Sequence, residues 1–478
     1  MVLGSLIPGQ PRSIAPGGNI DTLRQFMQQH EGISGQDFDN ILLSAIDVLN
    51  RCVSPDVAGS TQGLIYGHIQ SGKTAVIITV MALALDNGYR NFVVLTSDLN
   101  DLYLQTLNRI QSSLHSFVVL GKQEFGDLST GVSPNAPVIF VSTKNPTWLP
   151  RLSQFIGILS RQNETFIIID DEADQASLDT NINNNLPPST VNREITILRT
   201  SLISSAFLQT TATPQSLLLQ DEQDPFKPNF VVVTEPGGAY VGGNHFFPND
   251  NFSNLPHLRL VDLIDLATLN NNQLPTSIVN SLFVFLTGAA VLRLEGYLEN
   301  YTYLLHTSFR QADHGQAARL VREFVTLLMT ELMPGGQLSN TTINGLVNAY
   351  QDLQATFASL PALQTIINEI RNSIASTVVS EVNSSTNQGV DPNSSRRHTI
   401  YVGGAEIGRG VTIKRLLVTY YGRDAESPQM DTVLQHARMY GYRQNELPTI
   451  RIYLPTHLAQ RFYDIHASVN AVRTILLE

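Results

Sequence analysis

One cysteine, Cys52, stands in a chain of 478 residues, which rules out an internal disulfide and suits a reducing compartment. Lysine is almost as scarce, with only Lys73, Lys122, Lys144, Lys227 and Lys414, and the net charge is -11. A general nucleic-acid binder carries a basic surface, and this composition does not announce one. Any DNA groove must therefore be local and arginine-based, or be supplied by a partner. Charged residues make up only 15% of the chain while 42% are hydrophobic, so a large core is expected. No apolar run reaches the roughly 20 residues that span a bilayer. The start, MVLGSLIPGQPRSIAPGG, lacks the basic and then apolar pattern of a secretory signal. These absences lead to the expectation of a cytoplasmic protein without a membrane partner. There is also no H-E-x-x-H, no cysteine cluster and no G-x-S-x-G, so zinc-protease, thiol-metal and serine-hydrolase sites have no candidates.

What is present is strongly patterned. Gly67-His68-Ile69-Gln70-Ser71-Gly72-Lys73-Thr74 fits G-x-x-x-x-G-K-[ST] at every fixed position. Gly63–Tyr66 reads as a strand entering it, and Ala75–Asp86 as a buried helix leaving it, with Gly88 placed as a C-cap. Strand, glycine loop and helix N-terminus make an anion site whose backbone N–H groups suit a phosphate. Lys73 would add a point charge for the β- and γ-phosphates and Thr74 a hydroxyl for Mg²⁺. Gly67, His68, Gln70, Ser71 and Gly72 complete the expected nucleotide-contacting loop.

A second motif ends an apolar run: Ile167-Ile168-Ile169-Asp170-Asp171-Glu172-Ala173-Asp174. Nucleotide hydrolysis needs one carboxylate to hold Mg²⁺ and another group to orient or deprotonate water. Asp171 is assigned to the metal and Glu172 to the water, with Asp170 as an extra acid able to share the metal role. Thr210-Thr211-Ala212-Thr213-Pro214 follows another apolar strand, where its hydroxyls would hydrogen-bond the acids. Farther along, Gly408-Arg409-Gly410-Val411-Thr412 precedes Gln435-His436-Ala437-Arg438-Met439-Tyr440-Gly441-Tyr442-Arg443. A guanidinium stabilises the charge of phosphoryl transfer. Arg438 and Arg443 are the candidate fingers, and Arg409 with Gly410 a candidate nucleotide contact. Trp148 and the tyrosines read as packing rather than base-stacking platforms.

Length allows roughly two to four domains. Residues 1–58 read as a Pro/Gly-rich arm followed by helices, and 59–235 as alternating strands and helices, including 92–96, 138–141, 166–170 and 206–210. Residues 236–300 read as a connecting segment, irregular and then helical. Residues 301–478 resume the alternation, with strands at 303–307, 399–402, 416–420 and 450–454. A helical insert occupies about 316–392, and a polar loop lies over Asn383–Arg397. Continuous apolar strands between helices indicate α/β structure with mostly parallel sheets covered on both faces.

In this order the motifs resemble superfamily 2 helicases, and their spelling is closest to the Z-one domain of endonuclease- and restriction-associated ATPases. The matching blocks are Gly67–Thr74, Thr96-Ser97 with Gln105, Thr106 and Arg109, Thr143-Lys144-Asn145, Asp170–Asp174, Thr211–Pro214, Leu305-His306-Thr307-Ser308, Gly403–Thr412 and Asp431–Arg443. The resemblance spans about residues 60–455. It departs in the last block, where Arg438 and Arg443 stand three and eight positions after Gln435 rather than at the usual helicase spacing.

The resemblance implies two RecA-like domains with ATP and Mg²⁺ in the cleft between them, completed by Arg438 or Arg443. It also implies an ATP-driven DNA translocase or remodelling subunit of a restriction or antiviral defence complex. Little sequence follows the last block and no P-D…(D/E)-x-K nuclease signature is present, so cleavage is expected from a partner chain. The acidic balance keeps open an ATP-dependent conformational switch that regulates a partner such as a nuclease without moving on DNA. A subunit that binds nucleotide without hydrolysing it is the third reading, weakened by intact Lys73 and Glu172.

Overall fold

The structure, a computed structural model, describes residues 13–127, 132–133, 135–178, 188–307, 311–333, 335–382, 394–403, 413–422, 433 and 438–478. Two units divide it: Met1–Gly238 with Arg473–Glu478, and Ala239–Val472.

The first unit holds β1 (Ser60–Tyr66), β2 (Asn91–Thr96), β3 (Val118–Leu120), β4 (Val138–Thr143), β5 (Thr165–Asp171), β6 (Ser204–Thr211) and β7 (Phe230–Val233). They form a seven-stranded sheet in the order β3-β4-β2-β5-β6-β1-β7, and every pairing is parallel. Its helices are α1 (Gly18–His30), α2 (Gly35–Asn50), α3 (Lys73–Asp86), α4 (Asn100–Ser113), α5 (Lys122–Asp127), α6 (Trp148–Ile158), α7 (Thr190–Thr200) and the single turn α8 (Gln215–Leu218).

The two-residue period of the strands sorts their apolar side chains onto both faces. Phe92, Val94, Ile139, Val141, Ile167, Ile169 and Leu208 pack with α3. Val93, Leu95, Phe140, Phe166, Ile168 and Phe207 pack with Phe125, Phe155 and Ile195 on the opposite face. α3 is buried over Ala75–Ala84 because α1 and α2 lie on its outer side, contributing Leu23, Met27, Phe38, Ala45 and Val48 to the same cluster. A helix apolar all round must be covered all round, and these two N-terminal helices supply the cover. The Asp86 carboxylate ends α3 and accepts from the backbone N–H groups of Gly17 (2.8 Å), Asn19 (3.1 Å) and Ile20 (3.1 Å) at the first turn of α1.

The second unit holds β8 (Tyr240–Val241), β9 (Leu258–Val261), β10 (Tyr301–His306), β11 (Thr377–Val382), β12 (His398–Gly403), β13 (Leu416–Tyr421), β14 (Gly441–Tyr442) and β15 (Arg451–Pro455). Six form a second all-parallel sheet in the order β11-β12-β10-β13-β15-β9, and β8 pairs antiparallel with β14. Its helices are α9 (Gly243–Phe246), α10 (Leu263–Leu266), α11 (Thr276–Leu294), α12 (Gln311–Leu332), α13 (Asn340–Gln354), α14 (Leu363–Ser373) and α15 (Thr456–Leu477).

Both units are thus parallel sheets with helices, the RecA-like arrangement expected twice from the sequence. Two stretches are more integral than their composition suggests. Residues 236–300, read as a connection, supply the edge strand β9 and the core helix α11. The stretch read as a helical insert supplies the opposite edge strand β11. β9 is four residues long and β11 is partly exposed, so neither shows a continuous apolar run. α11 also corrects the reading of apolar run lengths: its 19 residues are long and apolar enough to cross a membrane, yet they are mostly buried within the unit. The polar loop expected over Asn383–Arg397 lies outside the described residues for 383–393.

Buried charge fastens this unit. Asp352 of α13 accepts from Arg259 Nε of β9 (2.5 Å) and from Arg451 Nε of β15 (2.6 Å), and Arg451 is fully buried. Two buried histidines give the unit a pH dependence. Burial, with the nearby Arg293 and Arg397 charges, holds His398 down to about 3. Burial holds His257 down to about 4, opposed by its bond to the Ile450 carbonyl. An unfolded imidazole titrates near 6.5, so below that value the unfolded chain takes up protons that the folded unit refuses. Stability is therefore full above about pH 6.5 and falls toward pH 4, by up to ~1.4 kcal/mol per pH unit for each histidine. Denaturant titrations between pH 4 and 7 should show a shallower slope for His398→Phe than for the parent chain.

Candidate active site

The phosphate-type loop follows β1, the strand next to the edge of the first sheet. β1 lies between β6 and β7, and Gly67 N–H donates to the Thr211 carbonyl (3.3 Å) as the strand ends. A Cβ on Gly67 would come within 2.5 Å of Thr234 Oγ1, so the turn takes only glycine there. Gln70 (φ 54°) and Gly72 (φ 89°) both adopt left-handed backbone, and Gly72 is the N-cap of α3. No side chain caps this helix start. Its first amides and the positive end of the helix dipole are directed at the loop. Ser71 Oγ donates to the His68 carbonyl (2.7 Å), and Lys73 Nζ donates to the same oxygen (3.0 Å). Burial pushes the Lys73 ammonium below its usual range, while Asp171, then Glu172 and Asp174, push it back up. The lysine and the acidic motif thus share one electrostatic field.

The acids lie at the carboxyl end of β5, two strands from β1. Asp170 is fully buried, and its Oδ1 pairs with Lys144 Nζ at 3.1 Å. It lies inside the sheet and faces this ammonium rather than standing at the strand end as Asp171 does. Asp171 sits at the strand end, and its Oδ1 accepts from Thr210 Oγ1 (2.7 Å). Glu172 follows with φ 54°. Burial raises its carboxyl above the ordinary range, and the Asp171 charge adds to that shift. Thr211 and Thr213 hydroxyls donate to the two oxygens of Asp174 (2.8 and 2.6 Å). The threonine motif on β6 therefore bonds the acidic motif, as its position predicts.

The donor set can be tested against Mg²⁺. Among the described residues no group of three or more His, Cys, Asp or Glu forms a protein-only metal cage. Mg²⁺ instead favours one or two protein oxygens with phosphate and water, and Thr74 with Asp171 offers hard oxygens of that kind beside an anion loop. The residues present fit the ion.

The remaining predicted residues lie in the second unit or outside the described residues. Arg409, Gly410 and Gln435 are outside them. Arg438 and Arg443 are described within their own unit, and both are buried there. Arg443 is buried, and its guanidinium donates to the carbonyls of Leu416 (2.8 Å), Ile413 (3.3 Å) and Arg438 (3.1 Å). Burial lowers its pKa to about 10. Arg438 takes left-handed backbone at φ 50°. Arg109, placed in a family block by the sequence, forms a two-pronged pair with Glu31 (3.0 and 2.6 Å).

The residue whose part was not foreseen is Lys144. Besides Asp170, its ammonium reaches the backbone carbonyls of Asp171 and Glu172, both at 2.8 Å. Two signals were available: lysine is scarce, and Thr143-Lys144-Asn145 is one of the family-matching blocks.

The first unit thus carries a phosphate-type loop after β1 and an acid-tipped strand two places away, and the second unit is another parallel α/β sheet. Residues 277–478 match the family model described as the Z1 domain. The family resemblance read from the motifs holds there, in the part that carries Arg438 and Arg443. No curated protein sequence matches the chain. Solved structures to which it is similar include the helicase MrfA, a DUF1998 protein bound to DNA, at 12% identity and a TM-score of 0.47 over 95% of this chain and 55% of that one. Another is a fragment assigned as the HsdR subunit of a type I restriction enzyme from Vibrio vulnificus, at 13% identity and 0.45 over 92% of this chain and 70% of that one. RecG bound to a three-way DNA junction matches at 12% and 0.42, over 94% of this chain and 50% of that one. The chain thus spans half to about two thirds of these proteins, and the likeness concerns fold alone.

Proposed function

We propose that the chain is a helicase-like ATPase that hydrolyses ATP with Mg²⁺ to move on or remodel DNA, as the motor subunit of a restriction or antiviral defence complex. The observation that carries this reading is the geometry of the first unit, where the loop with left-handed Gln70 and Gly72 follows β1 and the threonine-bonded acids Asp171 and Asp174 follow β5 of the same sheet. The backbone of Gly67–Thr74 and the start of α3 bind the phosphates, and Lys73 neutralises the terminal ones. Thr74 and Asp171 would hold the Mg²⁺, which would supply charge stabilisation to the phosphates. Glu172 orients the attacking water and accepts its proton. The second unit contributes Arg438 to stabilise charge in the transition state, and nuclease activity comes from a partner protein.

A second reading, an ATP-dependent switch that regulates a partner without moving on DNA, is favoured by the net charge of -11 and the five lysines. Steady-state phosphate release separates them. Lys73→Ala is expected to remove turnover, and DNA to stimulate the parent chain. Stimulation by neither single- nor double-stranded DNA, with the partner present, supports the switch. Turnover undiminished in Lys73→Ala would sink the site itself.

A further inference from the structure

Lys144 stands one residue beyond β4, fixed by its N–H to the Thr96 carbonyl (2.9 Å), and its side chain is only 2% exposed. An ammonium has three donors and no acceptor. Here its partners are the Asp171 and Glu172 carbonyls, which accept at 2.8 Å each, and Asp170 Oδ1, with which it forms an ion pair at 3.1 Å. Two are backbone oxygens of the residues proposed for metal and water.

Between those carbonyls the chain leaves β5 and Glu172 enters left-handed backbone at φ 54°. For a residue with a branched-out side chain and no glycine freedom, such a conformation persists only where the surroundings enforce it. The Ala173 N–H donates to the Thr210 carbonyl (3.0 Å), holding the far side of the same turn. Neutralising Asp170 alone would need one contact from the lysine; the other two grip the peptide units on either side of Glu172's Cα.

We infer that Lys144 is a positioning residue: it clamps the Asp171 and Glu172 peptides so that the Glu172 carboxylate is aimed at the water. This rests on the hydrolytic reading of Glu172, and it separates two duties that a buried ion pair would otherwise merge. The pairing with Asp170 neutralises a buried carboxylate, and the grip on the two carbonyls secures catalysis.

The experiment exploits that separation. Replacing a buried ion pair with apolar residues of similar volume commonly leaves stability intact. Lys144→Met combined with Asp170→Leu is therefore expected to fold, at a melting temperature lowered by the two carbonyls left without a donor, and to bind a fluorescent ATP analogue as the parent does. Its kcat should fall on the order of 10²-fold, the size expected from displacing a reacting group by about 1 Å, with KM for ATP little changed. Asp170→Asn keeps the lysine and its two carbonyl bonds, and should retain kcat within a few-fold even at a lower melting temperature.

Parent-like kcat in the folded double variant would overturn the inference while leaving the ATPase reading intact. So would a loss in Asp170→Asn as deep as that caused by removing the lysine, which also decides the matter if the double variant does not fold. No turnover in the parent chain, or full turnover in Lys73→Ala, would overturn the ATPase reading itself and this inference with it.

Discussion

Glu172→Gln is expected to lower kcat by ~10²–10⁴-fold, the range for losing a general base, while ATP still binds. Glutamine keeps the length of the side chain but cannot take a proton from water. The geometry favours this residue over its neighbours. Asp170 is sealed in the sheet by Lys144, Asp171 is bonded to Thr210, and both oxygens of Asp174 are engaged by Thr211 and Thr213. Burial and the adjacent Asp171 charge raise the Glu172 carboxyl toward the pH at which a base works best. Rapid-quench measurement of phosphate release, with nucleotide titration on the same sample, gives the answer. Parent-like release would remove Glu172 from the chemistry.

Arg438→Ala is expected to cost ~10³–10⁵-fold in kcat, the worth of an arginine finger, a loss far larger than any lowering of the melting temperature from removing this buried side chain would explain. Arg443→Ala should behave differently. Its guanidinium satisfies three backbone carbonyls inside the second unit. Removing it strands buried acceptors, at about 1–3 kcal/mol for each group left unsatisfied, so its main signature is thermal. One of its acceptors is the Arg438 carbonyl, so some catalytic loss should follow from misplacement of Arg438. Thermal melts and single-turnover rates on both variants test the division of labour. An Arg438→Ala chain that hydrolyses ATP at the parent rate would exclude the finger, whatever Arg443 does.

Most of the sheet framework was legible because parallel strands buried on both faces spell themselves as apolar runs. Phe92–Leu95 and Phe166–Ile169 are examples, and the structure places strands over both. The loop between β1 and α3 was legible because its geometry restricts residue type, as Gly67 and Gly72 show. Edge strands were not. β7 and β9 are four residues each, lie in Pro- and Asn-rich sequence, and expose one side, so their pattern dissolves into that of a loop. Lys144 was hidden for another reason. Its role depends on the crossover that sets β4 and β5 on either side of β2, a relation between distant segments that no local pattern encodes. The same holds for Arg443, whose spacing from Gln435 reveals nothing of the carbonyls it meets.

The Asp86 clasp on the first turn of α1 has a practical corollary. The helix that starts at the phosphate-type loop ends in a carboxylate that caps the first turn of a helix some seventy positions earlier. Shortening the protein from its amino end as far as α2 would strip Leu23, Met27, Phe38 and Val48 from the outer wall of α3. Such a truncate should clump and lose nucleotide affinity together, since the damage reaches the interior that holds the loop upright.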